Sequence, residues 1–149
     1  MFAVPENTVA RATTAPTVHP ALIARQYAEN RSRWAHLLRY DPDERFTALV
    51  HHTPEQEVWL MSWLPGQRTD LHDHGPATGA FTVVSGELTE HVLRDGSVHR
   101  LVAGQSRVFA PGYAHEMRNE GPDPAVSLHV YRSVRVMNNY PVVALPRVS

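Results

Sequence analysis

From Phe46 onward the sequence is a series of short segments rich in Val, Leu, Phe, Trp and Thr, separated by Pro, Gly and Asp. Asp95-Gly96 lies between two of them and is a favoured hairpin turn. The predicted strands are Phe46–His51, Glu57–Leu64, Gly79–Ser85, Glu87–Arg94, Val98–Val102, Arg107–Ala110, Ala125–Tyr131 and Val134–Leu145. Many short strands at regular spacing favour a β-sandwich or a barrel, of which the double-stranded jelly roll is one form.

The chain before these strands has a different pattern. Apolar residues recur from Pro20 to Leu38 at spacings mostly of three, four and seven, which predicts an amphipathic helix with an interruption near Asn30. Residues 1–18 carry Thr, Ala and Pro without periodicity and predict an irregular lead-in. We therefore expect a single domain over residues 1–149, helical over 20–40 and a barrel over 45–149.

The amino-acid composition limits the kinds of molecule that the protein is expected to bind. The net charge is −1 and the 14 Lys and Arg residues form no run, so we expect no nucleic-acid and no membrane partner, but a small molecule. No apolar run of about 18 residues and no signal-peptide pattern is present, so a cytoplasmic location is expected. The absence of cysteine excludes disulfides, thiolate ligands and a Cys nucleophile. The sequence does not indicate an oligomeric state.

Two histidines in the stretch from Gly66 to Gly79 indicate metal chemistry. Residues two apart in a β-strand point to the same face, so His72 and His74 would direct both imidazoles to one side of a sheet. Imidazole suits zinc, copper, iron and nickel, and open catalytic sites commonly take three protein ligands. Surface or hydrogen-bonded histidines can form the same His-x-His pattern, so the pair indicates a metal site only if a third ligand is present.

The third ligand appears in the stretch from Gly104 to Asn119. Together the two stretches resemble the paired motifs of the cupin superfamily. The positions that match are Gly66, His72, His74 and Gly86 in the first motif, and Gly104, Gly112, His115 and Asn119 in the second. Two positions depart from the pattern, since Gly79 stands where cupins have a metal-binding Glu and the proline has moved one place to Pro111. The resemblance implies an all-β cupin barrel, a double-stranded β-helix.

A third informative stretch is the predicted strand that ends at Tyr131. Ser127, His129 and Tyr131 alternate with two aliphatic residues, so one face of this strand is polar and the other apolar. A polar face inside a small barrel is costly unless its groups bond each other or a ligand. The alternative is an edge strand whose polar face meets water.

The missing Glu, the third histidine and this polar strand together resemble the cysteine dioxygenase (thiol dioxygenase) family within the cupins, in its bacterial form. The resemblance covers residues 45–132 and implies iron(II) held by His72, His74 and His115, with a catalytic relay of Ser127, His129 and Tyr131 beside the metal. Mammalian members have a cysteine at the position of Gly79, crosslinked to the relay tyrosine. Because this chain has no cysteine, Tyr131 must act as a free phenol.

The substrate-binding residue is less well defined. Cysteine-specific members of the family hold the substrate carboxylate with an arginine on an early strand, and alignment puts Thr47 at that position. Arg45 is two residues earlier and shares its face, so we expect it to bind the carboxylate through its planar fork. The alternatives are a solvated strand-end arginine at Arg45, or a role for Arg68 near the barrel rim.

The resemblance therefore predicts an enzyme, an iron(II)-dependent dioxygenase. Its partners would be O2 and a small thiol, most simply L-cysteine, and its product a sulfinic acid. The alternatives are a dioxygenase of 3-mercaptopropionate or another small thiol, a non-catalytic cupin that binds a metal or small ligand, and another metal-dependent cupin enzyme such as an isomerase.

Overall fold

A computed structural model of the chain describes residues 18–132 and 137–140. Its helix α1 runs Pro20–Glu29, with Pro20 in the first turn and the His19 side chain accepting a hydrogen bond from the Ala21 amide. The chain leaves the helix at Asn30 and continues in two short 3-10 turns, Arg31–Arg33 and Ala35–Leu37. The predicted helical pattern is therefore interrupted at Asn30, and the lead-in predicted for residues 1–18 lies outside the described residues except for Val18.

Within the residues that the structure describes, ten strands follow the helical segment, and the all-β prediction is confirmed. They are β1 Phe46–Thr53, β2 Gln56–Trp63, β3 His72–Asp73, β4 Thr78–Ser85, β5 Glu87–Val92, β6 Val98–Val102, β7 Ser106–Phe109, β8 His115–Arg118, β9 Ala125–Arg132 and β10 Asn138–Asn139. The short strands β3 and β8, which carry metal-motif histidines, were not among the predicted strands. Of the predicted strand Val134–Leu145, the structure describes residues 137–140, where only the two residues of β10 are extended and paired.

The strands form two antiparallel five-stranded sheets, in the orders β1-β2-β9-β4-β7 and β10-β3-β8-β5-β6. Helix α1 covers the outer face of the first sheet, where the even-numbered residues of β2 and β9, such as Leu60 and Leu128, form a core with Trp34. The odd-numbered residues of the same strands face the second sheet, as the buried cluster of Trp63, Phe81 and Leu88 shows. This face-to-face arrangement is the double-stranded β-helix of the cupin fold.

The position of β9 decides what its polar face can do. β9 lies in the middle of its sheet, paired with β2 on one side and β4 on the other. Ser127, His129 and Tyr131 are all buried on its inward face. The alternative of an edge strand with a solvated polar face is therefore wrong.

Over the described part of the chain, no helix has the length and apolar character that crossing a membrane requires. The division of residues 1–149 into lead-in, helical segment and barrel stays a prediction.

Candidate metal centre

Three histidines converge inside the barrel. His72 of β3 pairs directly with His115 of β8, and His74 lies just before the turn at Gly75, whose φ of 63° redirects the chain toward β4. All three side chains are buried, and each offers a ring nitrogen within 4.8 Å of the other two. The centroid of the His72 ring lies 4.8 Å from the centroids of both the His74 and the His115 rings. Three imidazole nitrogens so close together can hold one metal ion.

The hydrogen bonds of two of these rings select the form that a metal needs. His72 Nδ1 lies 2.6 Å from the Asp70 carbonyl oxygen, which can only accept, so Nδ1 carries the proton and Nε2 keeps its lone pair. His115 Nδ1 lies 2.7 Å from Glu90 Oε2, with the same result. Burial, and then the neighbouring His115, lower the pKa of His72 to about 4, so this ring is neutral near pH 7. The residues present therefore fit a metal ion.

The carboxylate behind His115 was missed by the sequence analysis. Glu90 on β5 is fully buried, and it accepts hydrogen bonds from Arg107 Nε at 2.9 Å and from the Tyr113 hydroxyl at 3.0 Å. Burial alone would raise the pKa of the Glu90 carboxyl, but its bonds to His115 and Arg107 hold that pKa below the usual value. The available signal was a lone carboxylate between Leu88 and Val92 on an otherwise apolar strand face.

Position 79 cannot carry a metal-binding carboxylate. Gly79 pairs with Tyr131 on one side and with Phe109 on the other. A Cβ atom at this position would collide with the Val130 carbonyl oxygen and would lie 2.6 Å from Phe109 Cζ. The Phe109 ring instead packs 4.8 Å from the His74 ring. The packing around Gly79 thus leaves the three histidines as the candidate ligands, with no fourth from this strand.

The predicted relay residues lie next to the histidines. Ser127 Oγ and His129 Nε2 are 2.7 Å apart, and the rings of His129 and Tyr131 are nearly parallel with centroids 6.3 Å apart. The Tyr131 ring also lies 4.8 Å from the His74 ring. Burial, and then the charge of Arg45, lower the pKa of His129 well below its usual value, so this ring is neutral as well.

A cavity of about 170 Å³ opens beside the three histidines. We call it the metal cavity, and its lining residues are Arg45, Thr47, Trp59, Met61, Trp63, Thr69, His72, His115, Met117, His129, Tyr131 and Met137. Its wall is mostly aromatic and thioether, with a few polar groups, as is typical of small-molecule sites.

Arg45 reaches into the metal cavity rather than into bulk solvent. Its guanidinium carbon lies 5.3 Å from the centre of the Trp63 ring, and Nη1 lies 3.1 Å from Met61 Sδ. Arg68, in contrast, is 44% exposed and lies 3.9 Å from Glu116. Five of the seven predicted site residues line this cavity, and the other two, His74 and Ser127, contact residues that do. Their roles in metal binding and catalysis stay predictions.

Comparison with known proteins agrees with this architecture. A sequence model of the family described as cysteine dioxygenase type I matches residues 8–137. The chain is similar to a Klebsiella pneumoniae protein with a double-stranded β-helix domain, at 30% identity and a TM-score of 0.61, covering 66% of this chain and 84% of that one. It is also similar to the TT1209 protein of Thermus thermophilus, at 26% identity and a TM-score of 0.62, covering 67% and 93%.

A curated relative is auxin-binding protein 5 of Zea mays, 37% identical over 70 residues. That match covers 47% of this chain and 39% of the maize protein, so the chain spans about two fifths of this relative's length. The family match, by contrast, extends over most of the chain and includes every residue around the metal cavity. The chain therefore belongs to the cysteine dioxygenase type I family.

Proposed function

We propose that this protein is an iron(II)-dependent thiol dioxygenase that converts a small thiol carboxylate and O2 to the sulfinic acid. The reaction is balanced because both atoms of O2 enter the product and the thiol sulfur supplies the electrons. The observation that carries the proposal is a buried cluster of three histidines that excludes a carboxylate at Gly79 and lies beside a cavity lined by Arg45. The cytoplasmic location stays a prediction.

The predicted site residues would each have a distinct role in binding the metal or the substrate. His72, His74 and His115 would hold the metal, two of them through Nε2 as their Nδ1 bonds dictate. A bound iron(II) ion supplies the Lewis acidity that favours a thiolate over a thiol, and the redox chemistry that O2 requires. Three uncharged imidazole ligands would not offset the charge of the ion, and the packing at Gly79 would add no fourth protein ligand from that strand.

Arg45 and Tyr131 would orient the substrate. The Arg45 guanidinium can donate two parallel hydrogen bonds to a carboxylate, and its stacking on Trp63 limits the directions in which it can do so. The Tyr131 hydroxyl would donate to the reacting groups, with His129 and Ser127 holding the phenol from behind. The Trp and Met side chains of the wall would exclude water from the reacting end of the cavity.

The lining also bears on which thiol is oxidised. Of the residues that the structure describes, those lining the metal cavity include no Asp or Glu to pair with a substrate ammonium group. L-Cysteine could instead place its amine in the coordination position that the missing carboxylate at Gly79 would leave open, whereas 3-mercaptopropionate has no amine to place. For this reason L-cysteine is the first candidate substrate and 3-mercaptopropionate the second.

The test of the function is oxygen uptake by the iron-loaded protein with L-cysteine, 3-mercaptopropionate and cysteamine. Consumption of one O2 per thiol, with the sulfinic acid identified by mass spectrometry, would support a dioxygenase. Stoichiometric metal binding without oxygen uptake for any thiol would contradict it and favour a non-catalytic cupin that binds a metal or a small carboxylate.

Replacing Arg45 with Ala should act selectively on carboxylate substrates. The loss of two charge-assisted hydrogen bonds should lower kcat/KM for L-cysteine and 3-mercaptopropionate by about a hundredfold or more, while cysteamine, which has no carboxylate, changes little. Steady-state kinetics with the three thiols measures this. Arg68→Ala is the matched control, because it removes an arginine from the outer surface near Glu116. An equal loss for all three thiols in the Arg45 variant would remove Arg45 from substrate binding.

Replacing Tyr131 with Phe should slow turnover and leave the metal in place. The substitution removes one hydroxyl from a buried ring, so we expect kcat to fall about ten- to a thousandfold with iron content and thermal stability close to the wild type. Tyr27→Phe is the control, since Tyr27 is a buried residue of α1 and its hydroxyl accepts a hydrogen bond from Arg33 outside the cavity. An unchanged kcat in the Tyr131 variant would remove this hydroxyl from the mechanism.

A further inference from the structure

Trp63 contacts both Arg45 and Ser127, a residue of the predicted relay. Its indole nitrogen donates a hydrogen bond to Ser127 Oγ at 2.9 Å, and its ring face lies beneath the guanidinium of Arg45. The side chain is fully buried, and its backbone carbonyl accepts a further bond from Asn119 Nδ2 at 2.9 Å. Trp63 is therefore held from several directions between the proposed carboxylate-binding arginine and the relay.

The indole fixes the direction of the next hydrogen bond. An indole N–H can only donate, so the Ser127 oxygen accepts from Trp63. The other hydrogen-bond partner of that hydroxyl within residues 18–132 and 137–140 is His129 Nε2, at 2.7 Å. If Nε2 also donated to Ser127, the buried hydroxyl proton would be left unsatisfied, which is unfavourable. The serine proton therefore points to His129 Nε2.

This direction determines where His129 carries its own proton. A neutral imidazole has one N–H, and a ring that accepts at Nε2 has that N–H at Nδ1. His129 lies against the metal cavity while its Nε2 is engaged with Ser127. The His129 ring can then present a hydrogen-bond donor to the metal cavity, but no lone pair that could accept a proton.

We propose that Trp63 is a positioning residue that sets the direction of the hydrogen bonds in the relay, so that His129 acts toward the metal cavity as a hydrogen-bond donor and not as a base. His129 would then steady the oxygen of Tyr131 or of a bound ligand, and the thiol proton would have to leave by another route. The consequence for turnover rests on the proposed function, whereas the position of the His129 proton does not.

The direct test is the ¹⁵N NMR spectrum of the histidine rings in the metal-free protein, with His129 assigned from its loss in His129→Gln. In the wild type we expect a protonated Nδ1 and an unprotonated Nε2, with a slowly exchanging Ser127 hydroxyl proton near Nε2. A proton on Nε2 would overturn the proposal. This part of the test requires no change at Trp63, so it stands even if the variants below fail to fold.

The causal role of Trp63 is tested by Trp63→Phe, which keeps an aromatic face for Arg45 and removes the N–H. Ser127 is then free to turn, and both His129 tautomers should become populated. Trp59→Phe is the matched control, because it removes another indole N–H from the same wall, one that donates to Glu57 at 2.9 Å. An unchanged tautomer in folded Trp63→Phe, or an equal change in both variants, would overturn the role of Trp63.

Kinetics supply an independent readout. Trp63→Phe should lower kcat about tenfold while KM for the thiol carboxylate stays within about threefold, because the relay loses its direction and Arg45 keeps its stacking partner. A rise in KM with an unchanged kcat would contradict the proposal. If the wild type showed no oxygen uptake at all, the proposed function would fail, and the tautomer spectra would still decide this inference.

Discussion

Replacement of His115 by Ala should abolish stoichiometric metal binding and, with it, turnover. The substitution removes one of three nitrogens that lie within 4.8 Å of one another, so the remaining pair cannot complete the site. Loss of a residue that only supports a ligand typically costs about 10–100-fold in metal affinity, and loss of the ligand itself should cost more. Metal analysis after anaerobic loading with iron(II), followed by oxygen-uptake assays, measures both effects.

This variant should remain folded, because Glu90 keeps its hydrogen bonds to Arg107 and Tyr113. Circular dichroism of the metal-free protein checks that expectation. His52→Ala is the control, since His52 is exposed on β1 and belongs to neither metal motif. One iron per chain in a folded His115→Ala protein would show that the ligand assignment is wrong.

Replacement of Gly79 by Ala should strongly destabilise the barrel. The added methyl group would meet the backbone carbonyl of Val130, which belongs to the central strand and cannot move away without breaking its pairing with β2 and β4. Overpacking typically costs about 1–3 kcal/mol, and a collision with backbone should reach about 3 kcal/mol or more. Urea denaturation of the metal-free protein measures the change in the free energy of unfolding.

Gly121→Ala is the matched control for this substitution. The three atoms nearest to its new methyl group would all belong to the Glu87 side chain, the nearest at 2.9 Å, and that flexible chain can shift. We expect a much smaller loss of stability than at Gly79. Equal stability of the Gly79 variant and the wild type would mean that the tight packing does not exclude a side chain there, and a carboxylate at this position would again be possible.

The sequence by itself predicted the residues of the candidate site and the class of the fold. The cluster of His72, His74 and His115 could be predicted because the ligands of a metal motif recur at fixed spacings, and such spacing is visible in one dimension. The alternation of Ser127, His129 and Tyr131 likewise revealed their common face, because the period of a strand is two residues. Short Val-rich and Thr-rich segments between turn residues were sufficient for an all-β prediction.

Only the tertiary structure decided how these pieces face one another. Whether the polar face of β9 meets water depends on which strands pair with it, and that pairing is a long-range property of the sheet. The same holds for Glu90, which supports His115 from a strand 25 residues earlier in the chain. No local spacing relates these two residues, so the carboxylate could not be identified from the sequence.

The surroundings of Gly79 and Arg45 likewise could not be predicted from the sequence. A glycine in the sequence marks a missing side chain, but only the packing of β4 between its neighbours shows that the Val130 carbonyl and the Phe109 ring fill the space. For Arg45, alternation gives the face of the strand, yet a long flexible side chain at a strand end can turn either to solvent or inward. Its direction is decided by contacts with Met61 and Trp63 on the neighbouring strand, which exist only once the sheet has formed.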